Sequence, residues 1–131
     1  MFWNKYFIPS FIVMLLVVSL HWFGTLKDFY YLTNWYDFPM HFLGGAWVAL
    51  FSLWAVSTQY GTFFKKYISI KSLILWTLAV GIAWEFLEIG LHFNNIHDIG
   101  YAWDTTHDLI MDVVGASVVA AIYKKAIRNN L

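Results

Sequence analysis

The chain has no cysteine, which excludes disulfides, thiolate metal sites and cysteine nucleophiles. It has two prolines in 131 residues, and only 12% of its side chains are charged, against about 25% in an ordinary soluble domain. Lysine plus arginine balance aspartate plus glutamate at eight each, so no positive excess exists to hold nucleic acid. No internal repeat, low-complexity tract or separate soluble segment is present. What remains is apolar: 60% of the residues are hydrophobic and 21% aromatic. A chain so poor in charge cannot coat a soluble surface, and the composition is that of a membrane protein.

A hydrocarbon core takes about 20 apolar residues to cross as a helix. Residues 7–26, 39–58, 70–93 and 107–123 meet that length, so the expected fold is an all-α, four-transmembrane-helix bundle making one polytopic domain over residues 1–131. No small-residue cleavage site follows the first apolar run, which is therefore expected to stay as an anchor. The connection "KDFYYLTNWYDF" is aromatic enough to lie at headgroup level. Basic residues mark the cytoplasmic flanks of membrane proteins. Lys5 precedes the first span; Lys65, Lys66 and Lys71 join the second to the third; Lys124, Lys125 and Arg128 follow the fourth. Both termini are expected in the cytoplasm, as an even number of crossings requires.

All the acids fall on the opposite side. Asp28, Asp37, Asp98 and Asp104 lie in or beside the outer connections, with Glu85, Glu88, Asp108 and Asp112 in the outer halves of the last two spans. So do His21, His41, His92, His97 and His107. An acid at a helix centre costs about 2.5–3.5 kcal/mol on insertion scales, so intramembrane acids face a bundle interior and a partner. In "DTTHDLIMD" the spacing of four puts Asp104, Asp108 and Asp112 on one helical face. Thr105 and Asp108 have the spacing of a capping box, and Asp104 could cap instead. Asp112 is too deep for any cap. In "WEFLEIGLH", Glu85, Glu88 and His92 likewise share a face. In "YDFPMHFLGG", Pro39 suits a first helical turn, leaving Asp37 just outside and His41 just within. Gly44, Gly45, Gly81 and Gly115 permit close helix approach.

If these acids converge, no lysine or arginine is at hand to answer them, since Lys27, the sole basic residue on that side, lies in a connection. Crowded carboxylates then take up protons or bind a cation. Acids and histidine gathered from facing helices are how di-metal carboxylate sites are assembled. Glu85, Glu88, Asp104, Asp108, Asp112 and His41 are the expected metal ligands, with His41 and Asp37 as the catalytic pair, Asp37 orienting the imidazole. Such oxygen-rich ligation suits Mg²⁺, Mn²⁺, Ca²⁺, Fe²⁺ or Zn²⁺.

The order Tyr36-Asp37, His41, Gly45, then Glu85 and Glu88, then Trp103-Asp104, Asp108 and finally Gly115-Ala116 resembles the YjdF-like family of small bacterial inner-membrane proteins, and more distantly the VanZ-like membrane proteins. The match runs from Tyr36 to Ala116, and Asp112 is not part of the family pattern. The resemblance implies a bacterial cytoplasmic membrane and supports the site residues, but it carries no reaction. Three functions follow as expectations. The first is metal-dependent hydrolysis of a lipid or lipid-linked phosphate. The second is an accessory or structural protein whose bound ion ties the bundle together. The third is proton or cation translocation by a homo-oligomer, against which the inner halves of the spans are apolar.

Overall fold

A computed structural model describes residues 4–33, 35–91, 97, 99–129 and 131. Among them the regular structure is helical: α1 (Phe7–Leu26), α2 (Phe29–Leu32), α3 (Asp37–Ser57), a 3₁₀ helix (Gln59–Tyr67), α4 (Ile70–Gly90), α5 (Tyr101–Ile122) and α6 (Lys124–Arg128). Four of these, α1, α3, α4 and α5, are long and apolar enough to cross a bilayer. Lipid-facing surface is abundant. Ile8, Phe11, Ile12, Leu15, Leu16 and Val18 of α1 are all exposed, a patch that would drive aggregation in water and is at home in hydrocarbon.

The boundaries differ from expectation in two places that matter. The second span begins at Asp37 itself, and the fourth begins at Tyr101 rather than His107. The sequence from Tyr101 to Thr106 reads as polar, but it contains no helix breaker. Gly100, in a left-handed conformation at φ 98°, turns the chain directly into the helix, as glycine alone does without steric cost. At the other end of the bundle, Ser69 starts α4 with a reciprocal cap. Its hydroxyl accepts from the Ser72 amide at 3.0 Å, and its own amide donates to the Ser72 hydroxyl at 2.7 Å.

Packing is most extensive between α3 and α5, with α1 laid against α3 and α4 against α5. The buried stripe of α5 runs Asp108, Asp112, Gly115, Ala116, Val119, Ala120, and that of α3 runs His41, Gly45, Ala46, Ala49, Leu50, Leu53. Spacings of three and four keep each stripe on one face. Its chemistry changes along the axis, from polar through glycine to apolar. The glycine tier is where the two backbones come closest. A Cβ at Gly45 would run into the backbone carbonyl of Asp112, and one at Gly115 into that of Phe42. Below it Ala49, Leu50, Leu53, Leu73, Ala116, Val119 and Ala120 form the core, closed by Tyr6, Ile127 and an edge-on Tyr6–Tyr123 ring contact at 5.0 Å. The buried acids and histidine of this helix pair are thus at the opposite end.

Candidate metal centre

Starting α5 at Tyr101 changes the part played by each residue in "DTTHDLIMD". Asp104 is in the first turn and exposed, where the helix dipole favours an acid. The capping box does not form, because Thr105 lies inside the helix. Its hydroxyl instead donates to Glu85 Oε2 of α4 at 2.8 Å. Asp108 is 1% exposed and Asp112 6%, so neither acts at a helix end.

His41 is the hub. With Asp37 in the first turn of α3, Asp37 and His41 are four apart on one face, and Asp37 Oδ1 stands 3.8 Å from His41 Nε2. Asp108 Oδ1 of α5 stands 3.9 Å from the same nitrogen. On the other side of the ring, Asp112 Oδ1 is 3.5 Å from Nδ1. Asp112 therefore has the partner its depth demands. Room for it comes from glycine: a Cβ at Gly81 of α4 would strike Asp112 Oδ2. Three helices meet on this one carboxylate.

The Nε2 side has the geometry of a ligand set. One donor atom each from Asp37, His41 and Asp108 lies within 4.8 Å of the other two. Separations of 3.8 and 3.9 Å exceed hydrogen-bonding range. Two ligands about 2.1 Å from a shared ion stand about 3.0–3.4 Å apart in octahedral or tetrahedral geometry, so the two carboxylates would each have to draw in toward Nε2 by about 0.4–0.9 Å to share one. Asp108 Oδ1 is buried without a hydrogen-bond partner, an arrangement that costs about 1–3 kcal/mol for a neutral acceptor and more for a charged one. Asp37 connects the group to the outside: its side chain is 35% exposed, against 8% for His41 and 2% for Asp108.

The remaining expected ligands stand around this triangle rather than in it. Glu85 is 5% exposed; one oxygen is held by Thr105, while the other, Oε1, is buried without a partner. Glu85 and Asp104 are both close enough to Asp108 for their charges to interact. Glu88 is half-buried and accepts from Trp84 Nε1 at 2.7 Å. His92 and Asp98 lie outside the described residues. His107 stacks on Phe38 and pairs through Nδ1 with the Trp103 carbonyl at 2.8 Å, which accounts for it without an ion.

One polar residue at this end has no counterpart in the sequence reading. Tyr30, on the short α2, lies 2.9 Å from His21 Nδ1 through its hydroxyl, and its charge environment includes Asp37 and Glu88. Burial, with Asp37 next in weight, holds this phenol above its ordinary range. It therefore keeps its proton and can donate to His21. In the sequence Tyr30 is one of several aromatics in a connection, and no spacing marks it out.

A family model described as "Predicted membrane protein (DUF2238)" matches residues 5–129. No curated protein and no solved structure matches the chain.

Proposed function

The chain belongs to the DUF2238 family of predicted membrane proteins, and we propose that it binds a divalent cation through Asp37, His41 and Asp108, with Asp112 orienting the imidazole from behind. The observation that carries this reading is the buried, unpartnered Asp108 oxygen facing His41 and Asp37. Most of the basic residues, Lys65 and Lys66 on the 3₁₀ helix, Lys71 in the first turn of α4 and Lys124, Lys125 and Arg128 on α6, lie at the other end of the bundle, with Lys27 the exception. The same distribution supports a multi-pass protein of the bacterial inner membrane with cytoplasmic termini and its site on the extracytoplasmic side. The YjdF-like resemblance accords with that location.

Asp112 on Nδ1 makes a carboxylate–histidine–cation relay, in which the rear carboxylate fixes the ring and its tautomer. Asp112→Asn is expected to weaken metal retention about 10- to 100-fold while the bundle stays folded, as measured by competition with a chelator. The reading rests first on elemental analysis of protein purified without chelator. About one divalent ion per chain is expected, and its absence at every stoichiometry ends the proposal.

We read the activity as hydrolysis of a lipid or lipid-linked phosphate, for which a bound ion supplies a polarised phosphoryl oxygen and a more acidic water. Asp37 is the residue placed to meet an incoming group, since it alone of the three reaches the surface. Release of inorganic phosphate from a lipid phosphate, dependent on added metal, is the readout. A structural role for the ion is the second reading. It is favoured by the position of Asp112 at the Gly45–Gly81 crossing, where a charge-neutralised cluster would hold three helices in register. An inert but metal-stabilised protein would decide for it.

A further inference from the structure

Beside the His41 cluster, the outer halves of α4 and α5 leave a groove of about 150 Å³. Its walls are apolar, with Ile82 and Phe86 exposed and Leu109 half-buried opposite them. Its side chains with polar atoms are Glu85, Thr105 and, through its phenol, Tyr101. In a bilayer this groove faces acyl chains, and a void there loses contact on one side.

Glu85 is the anomaly. It is 5% exposed, Thr105 satisfies one of its oxygens, and Oε1 has no partner. An ionised carboxylate only accepts, so what it lacks is a donor. The surroundings say which sign that donor carries. Asp108 lies within electrostatic range of Glu85, as does Glu88, and neither α4 beyond Lys71 nor α5 contains a lysine or arginine. A cation with N–H groups answers both requirements, and a lipid carries one into a groove of this kind.

We propose that the α4–α5 groove seats a phospholipid whose headgroup bears a primary ammonium. Its N–H groups donate to the Glu85 carboxylate, and an acyl chain lies along Ile82, Phe86 and Leu109. This deepens the lipid-phosphate reading by naming a lipid class. It does not require an ion at His41, because Glu85 stands outside the Asp37–His41–Asp108 triangle.

The test uses delipidated protein in detergent and native mass spectrometry, with phosphatidylethanolamine and phosphatidylcholine of matched acyl chains as probes. The two headgroups carry the same charge, but the trimethylated one has no N–H to donate. Wild-type protein is expected to retain the ethanolamine lipid about tenfold better, as a charge-assisted hydrogen bond would give. Glu85→Gln should bring the two within about twofold. Leu109→Trp, which fills the groove and leaves the carboxylate intact, should lose both lipids. Equal retention of the two lipids by the wild type overturns the proposal. So does a preference that survives either substitution, and Leu109→Trp decides the matter if Glu85→Gln does not fold. Metal content measured on the same samples separates this outcome from failure of the cation site.

Discussion

Replacing Asp108 by asparagine is expected to lower divalent-metal retention by more than about 100-fold, beyond the loss typical of residues that merely support a ligand. The substitution keeps size and shape and removes charge at a position 1% exposed. Its effect on stability depends on the ion. In metal-free protein, wild-type Asp108 holds an oxygen with no donor, close to the charges of Asp37, Asp104 and Glu85. Asparagine relieves that crowding, so the metal-free variant should melt no lower than metal-free wild type. With metal at 1,000 times its dissociation constant, the wild type should gain about 4 kcal/mol by mass action, and the variant almost none. Melting both proteins with and without chelator checks the crossover. A variant that holds metal as tightly as the wild type would remove Asp108 from the site.

Gly115 is the second position of large effect. A Cβ there meets the Phe42 carbonyl and comes within 2.8 Å of the Ala46 amide nitrogen, both backbone atoms of α3. Backbone cannot rotate out of the way as a side chain can, so α3 and α5 must part. Gly115→Leu is expected to destabilise the bundle by about 3 kcal/mol, the upper end of ordinary overpacking, and to cost the metal as well, since His41 and Asp112 lie one turn away across the same interface. Gly90→Ala provides the control, because nothing lies within 4 Å of a Cβ at that position. Thermal unfolding in detergent compares them. Similar melting of Gly115→Leu and Gly90→Ala would show that the crossing is not as close as the structure has it.

Much of this was legible in the sequence, for identifiable reasons. The four membrane helices follow from apolar length, a signal that a bilayer makes unambiguous. The depth of Asp112 excluded a cap on helical spacing alone, and a buried partner was duly required. The identity of that partner was not legible: spacing within a helix cannot say that Asp112 lies behind His41, or that Thr105 reaches Glu85 twenty residues away. The expected capping role for Thr105 failed because local propensity favours it at a helix start, whereas Gly100 had already begun the helix. Moving that start back by six residues leaves the face shared by the three aspartates unchanged and alters only how deep each one sits. Tyr30 was invisible because an aromatic connection offers no periodicity to single out one ring.

The aspartates of α5 sit on an even pitch. Asp104, Asp108 and Asp112 rise along the helix by about 6 Å per step, exposed at the first and enclosed at the next two, and Gly115 continues the same line. Such a line tolerates exchange of its neighbours far better than a change in chain length. A single residue inserted between Asp108 and Asp112 would rotate everything before it by about 100°, sending two carboxylates toward hydrocarbon while leaving composition and hydropathy almost untouched. In this stretch an insertion is a more damaging kind of variation than most substitutions.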